Sequence, residues 1–164
     1  MAEFSYSEIL NSFGVSPYDV SAYSPLELAY IGDAVYDLVI RSLVMSAGPA
    51  HTDKMHKETS SLVCAHAQAK VLKAIKPHLT DEEADIARRG RNAKSSTMAK
   101  NATAGDYRRA TGLEALVGYL YLCGQMDRAL TLIRTGLHAA GLIPPGTGKD
   151  DAVAGGGSDG SKDG

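Results

Sequence analysis

The alternation of apolar and polar positions along the chain divides it into helices. Residues 24–45, SPLELAYIGDAVYDLVIRSLVM, are apolar around most of a helical circumference, which predicts one long and deeply buried helix. Its start is marked by Ser24 as N-cap, Pro25 at the first helical position and Glu27 three residues after the cap, which together form a capping box. Gly48-Pro49 closes it. Residues 3–12 predict a short amphipathic helix anchored by Phe4, Ile9, Leu10 and Phe13, broken by Gly14 and Pro17. Residues 52–76 predict a second long helix, apolar at Met55, Leu62, Val63, Val71, Leu72 and Ile75 and stopped by Pro77. The small residues of its LVCAHAQAK centre leave room for a close neighbour. Thr80-Asp81-Glu82-Glu83 reads as another capping box, opening a short helix that ends at Arg88, Arg89 and Gly90. Further helices are expected over 106–122 and 126–140, the latter with Leu130, Ile133 and Leu137 in register. No run alternates as a strand does. The fold class is therefore all-α, a helical bundle.

Beyond Pro144-Pro145 the pattern stops. Seven of the last nineteen residues are Gly, and nothing there offsets the entropy of ordering. The expected organisation is one domain over 1–145 and a disordered tail over 146–164. No apolar run approaches the ~20 residues a bilayer span needs, so no membrane role is expected. The acidic N-terminus lacks the basic start and apolar run of a secretory signal. Cys64 and Cys123 lie in apolar helical surroundings and read as buried, reduced thiols of a cytoplasmic protein.

Charge adds what hydrophobicity does not. The net charge is −2, yet residues 88–109 hold seven basic residues and one acid. Such segregation predicts a local anion-binding patch. Arg88, Arg89, Arg91, Lys94 and Lys100 are its main candidates; Arg108 and Arg109 are more ambiguous, since either could pair with an acid of the core.

Two acids stand out against apolar surroundings: Asp33 in the 24–45 helix and Glu114 in ATGLEALVGYLYL. A carboxylate in a core needs a partner or a metal. Glu27 is accounted for by the cap, and Asp37 by an i,i+4 ion pair with Arg41. Gly32, Gly112 and Gly118 would let the two helices approach closely. The residues then leave two readings open, a shared oxygen-rich site suited to Mg²⁺ or Mn²⁺, or buried acids paired with arginine. Other chemistry is poorly supported. The five histidines include no HExxH, and no Gly-x-Ser-x-Gly elbow occurs. PPGTGK has Ile143 and Asp150 where a phosphate-binding loop needs Gly and Ser/Thr.

LAYIGDAVYDL resembles the signature helix of ribonuclease III catalytic domains, and GLEALVGYLYL resembles their second catalytic segment. Together with HKETSSLVCAHAQA and RRGRNAKSSTMAKNA, these blocks make residues 20–140 similar to Mini-III ribonucleases, the members lacking a double-stranded-RNA-binding domain. The resemblance implies Mg²⁺-dependent endonucleolytic cleavage of double-stranded RNA, leaving 5′-phosphate and 3′-hydroxyl ends, with Mn²⁺ able to substitute. It implies Asp33 and Glu114 as catalytic, metal-binding carboxylates; with no accessory RNA-binding domain, the basic window becomes the expected RNA-binding set, at Arg88, Arg89, Arg91, Lys94, Lys100 and Arg108. It also implies a homodimer, with the 24–45 helix and the segment around Cys64–Ala69 as its surface, and precursor 23S ribosomal RNA as substrate. Leu26, Ala29 and Thr111 stand where full-length members carry acids, so one tightly held ion per site is expected. The alternatives are a non-catalytic RNA-binding dimer, which would tolerate Asn at position 33 or 114, and an all-α metal phosphohydrolase of small esters, which would need neither the basic loop nor dimerisation.

Overall fold

The computed structural model describes residues 4–94 and 103–144. Seven α-helices follow in order: α1 Tyr6–Ser12, α2 Pro25–Met45, α3 Thr52–Val63, α4 Ala65–Ile75, α5 Asp81–Asn92, α6 Ala104–Leu122 and α7 Met126–Ala139. Short 3₁₀ turns lie at Val20–Ala22 and Lys76–His78. Among the described residues there is no strand. No helix among them is long and apolar enough to cross a membrane. Lys100 and the expected tail fall outside the described residues.

The caps hold as the sequence predicts. The Ser24 amide donates to Glu27 Oε2 at 2.6 Å and the Glu27 amide to Ser24 Oγ at 3.3 Å, so α2 starts on a reciprocal pair of bonds. Thr80 and Glu83 repeat the arrangement at α5. Glu83 is buried and also receives Arg128 of α7, at 2.8 and 2.9 Å, so one residue both caps α5 and ties it to α7.

Helix α6 is the centre of the bundle, buried at Ala110–Leu113, Ala115–Gly118 and Leu120. Helix α2 crosses it backbone to backbone. A β-carbon at Gly32 would overlap the Glu114 carbonyl, and one at Gly118 would overlap the Leu28 carbonyl. Helix α5 packs on another part of α6, where Gly90 meets Gly112 and Ala115. Gly112 therefore serves the α5 crossing and not the α2 crossing expected for it. Gly90 is buried inside α5, which runs on to Asn92; packing against α6 overrides its usual role as a terminator.

Other expectations change. The helix over 52–76 is two helices, broken at Cys64, whose ψ of 155° is extended. Two buried side chains serve the carbonyls at the break: the Tyr36 hydroxyl donates to Leu62 O at 3.1 Å and Gln68 Nε2 to Val63 O at 3.2 Å. Both cysteines are exposed, at the α3–α4 break and the α6 C-terminus, so the buried-thiol reading is wrong. Phe4 and Phe13 are exposed and do not anchor α1, whose Tyr6 ring instead meets Tyr121. Leu130 is exposed; α7 buries Ala129, Leu132, Ile133, Gly136 and Leu137.

Helix α2 is the largest departure. It buries Leu28, Ala29, Gly32, Val35, Tyr36, Ile40 and Val44, and leaves Leu26, Tyr30, Leu38, Leu43 and Met45 exposed, Tyr30 by 83%. Asp33 lies on that exposed side. It is not a charge enclosed in the core.

Candidate active site

The Gly32–Gly118 crossing sets the geometry. Because Gly32 touches the Glu114 backbone, the next residue, Asp33, is carried to the side of α6 that presents Glu114. The Glu114 carboxyl is raised to about 7, first by burial and then by the Asp33 charge, and a hydrogen bond from Gln68 draws it partly back. The Asp33 carboxyl is also raised, by lost hydration and then by the Asp37 charge. Open to solvent on one side, it still gives up part of its water. Asp37 itself binds Arg41 at 2.7 Å, the i,i+4 pair expected. Burial raises the Tyr36 phenol, with the Cys64 and Glu114 charges adding to it.

Two carboxyls with raised pKa values, side by side and without an arginine between them, are a site that favours a cation. Among the described residues no ion pair joins Asp33 or Glu114 to a basic side chain, which disfavours the arginine-paired alternative. Among the described residues no three His, Cys, Asp or Glu side chains gather as a ligand set. An ion here would keep several waters, as Mg²⁺ does. Gln68 Oε1, buried and without a hydrogen-bond partner, is a further oxygen on a residue near enough to Glu114 to lower its pKa.

The Ribonuclease III domain model matches residues 26–125, a span that contains both carboxylates and the crossing. Mini-ribonuclease 3 of Clostridium tetani is 46% identical over 111 residues, covering 67% of this chain and 74% of that protein. The Thermoanaerobacter Mini-ribonuclease 3 is 48% identical over 114 residues, covering 70% and 80%. The chain belongs to the ribonuclease III family, among its Mini-ribonuclease 3 members. It is an endoribonuclease. A crystal structure of a Fusobacterium nucleatum protein shares the fold, with a TM-score of 0.66 at 32% identity over 71% of this chain and 95% of that one. Ribonuclease III enzymes generally depend on a divalent metal, and the residues around Asp33 and Glu114 fit one.

The basic residues of this ribonuclease III domain separate into unequal groups. Arg89, Lys94 and Arg108 are exposed. Arg88 is exposed but bound to Asp85 at 2.6 Å. Arg91 and Arg109 line a groove of about 360 Å³ shared with Lys70 and Lys73 of α4 and Lys76 of the 3₁₀ turn that follows it. The sequence reading missed these three lysines, although their spacing of three was a signal for one stripe. The acid lining the groove, Asp106, is held by His66 at 3.0 Å. The small residues Ala67 and Ala69, expected at a dimer surface, are buried within the chain.

Proposed function

We propose that this endoribonuclease hydrolyses phosphodiesters of double-stranded RNA using Mg²⁺ held by Asp33 and Glu114, with Mn²⁺ able to replace it. The observation that carries the reading is the backbone contact of Gly32 with Glu114, beside which both acids have raised pKa values. Asp33 and Glu114 hold and orient the ion from two helices whose separation is fixed by glycine. The ion, when bound, supplies charge neutralisation at the phosphoryl and leaving oxygens and a water of lowered pKa. Cleavage leaves 5′-phosphate and 3′-hydroxyl ends.

The groove between α4, α5 and α6 tracks the phosphates of the duplex. Lys70, Lys73, Lys76, Arg91 and Arg109 line it from these helices and the 3₁₀ turn after α4, with Arg89, Lys94, Arg108 and, more weakly, Arg88 extending it; Lys100 belongs to the same basic run of sequence. Contacts of this kind read A-form shape and charge, not bases. Two cuts on opposite strands need two sites, and the exposed apolar side of α2 is the surface for a two-fold homodimer. Precursor 23S ribosomal RNA in the cytoplasm is the substrate adopted, with 1–145 as the catalytic unit.

The test is a long RNA duplex incubated with Mg²⁺ or EDTA and with wild type, Asp33→Asn or Glu114→Gln. Cleavage is expected in the wild-type Mg²⁺ lane and in no other. An intact duplex there removes the nuclease reading; cleavage surviving both substitutions removes the site.

A further inference from the structure

We propose that Gln68 is a positioning residue of the cation site, its amide nitrogen orienting Glu114 and its amide oxygen offered to the hydrated ion. This rests on the reading of Asp33 and Glu114 as the ion's carboxylates. Gln68 is only 1% exposed, in a row of α4 positions otherwise filled by Ala67, Ala69, Val71 and Leu72. A polar side chain there is costly unless both ends of its amide are used. One end is. Nε2 donates to Val63 O at 3.2 Å across the α3–α4 break, and the amide lies close enough to the Glu114 carboxyl to hold its raised pKa partly down.

The other end is not. Oε1 is buried with no hydrogen-bond partner. Closing the break needs only the nitrogen, so a purely structural Gln68 leaves half of its amide idle in the core. A neutral amide oxygen on a residue next to the Glu114 carboxyl is a donor type that hard cations and their waters accept. Outer groups that hold a ligand in place are commonly worth 10- to 100-fold in metal affinity. Gln68 thus acts through Glu114 and through the ion's hydration.

The experiment compares full-length wild type, Gln68→Leu, Gln68→Met and Gln68→Glu. It reads Mn²⁺ affinity by calorimetry on metal-stripped protein, thermal melting in EDTA, and the Mg²⁺ concentration giving half-maximal cleavage. Gln68→Leu and Gln68→Met should weaken Mn²⁺ binding about tenfold or more and raise the half-maximal Mg²⁺. Their melting temperature should stay within about 4 °C of wild type, and KM for the duplex should not change. Gln68→Glu, which keeps an oxygen at that place but loses the amide donor, should bind Mn²⁺ more tightly than Gln68→Leu.

Wild-type Mn²⁺ affinity in Gln68→Leu overturns the proposal, as does failure of both Leu and Met variants to fold, which would make Gln68 a core residue only. Asp33→Asn and Glu114→Gln run alongside. If they abolish Mn²⁺ binding while Gln68→Leu does not, the proposal fails and the site stands. If they bind Mn²⁺ normally, the site reading itself has failed.

Discussion

Gly32 of α2 lies against the carbonyl of Glu114 on α6 with no room for a β-carbon between them. A backbone carbonyl cannot swing aside as a side-chain tip can. Gly32→Ala should therefore push the helices apart, destabilising the fold by about 1–3 kcal/mol as overpacking does. Because the same shift separates Asp33 from Glu114, cleavage should fall more steeply than the folded fraction does. Denaturant melts paired with single-turnover cleavage below the melting range would check it.

The Glu114 carboxyl gives a pH prediction with a definite sign. Its folded pKa of about 7 exceeds the ordinary 4.5, so between these values the folded chain binds more protons than the unfolded one. Its contribution to stability is present in full below about 4.5 and is lost as pH rises through 7. Metal-free wild type should lose more stability between pH 5.5 and 8 than metal-free Glu114→Gln, by about 1–2 kcal/mol. Excess Mg²⁺ should shrink the difference, since the ion favours the ionised form. Melts in EDTA and in Mg²⁺ at both pH values measure this; equal slopes for the two proteins would argue against it.

The lysine stripe separates a polyanion groove from an ordinary solvated face. Lys70→Ala with Lys73→Ala should weaken binding of an RNA duplex and reduce the slope of log affinity against log salt by about 1–2. Arg88→Ala should do less, because Asp85 already holds that guanidinium. Titrations at several salt concentrations on the Glu114→Gln background keep the duplex intact. An unaltered slope in the double variant would remove α4 from the RNA surface.

Tyr30 and Leu38 test the assembly. Both stand exposed on α2, and Tyr30→Arg with Leu38→Asp should leave the chain folded but monomeric by sedimentation velocity. A wild-type monomer at the concentrations used for cleavage would remove the two-fold dimer from the mechanism.

What the sequence revealed was mostly local. Ser24 with Glu27, Thr80 with Glu83, and Asp37 with Arg41 are interactions within one turn or at its edge, so spacing alone identifies them. Asp33 and Glu114 were found by their surroundings and by likeness to the ribonuclease III family. The premise that Asp33 is enclosed was wrong, because periodicity shows which face is apolar but not whether a second element covers it. The break at Cys64 carries no Gly or Pro; it is sustained by Gln68 one turn on and by Tyr36, which comes from α2. Gly90 looked like a terminator for the same reason. Its partner, Gly112, lies twenty-two residues away in the sequence.

The meeting of α2 and α6 at Gly32 and Gly118 also governs how this enzyme can change over time. With main chain resting on main chain at the crossing, the spacing of the two carboxylates depends little on which side chains fill the neighbouring core. Substitutions at Val35, Leu116 or Leu120 that preserve volume can accumulate without shifting the reaction centre. The two glycines cannot drift in this way. Lineages of this fold should vary freely in the apolar residues around the crossing while keeping both glycines wherever cleavage is kept.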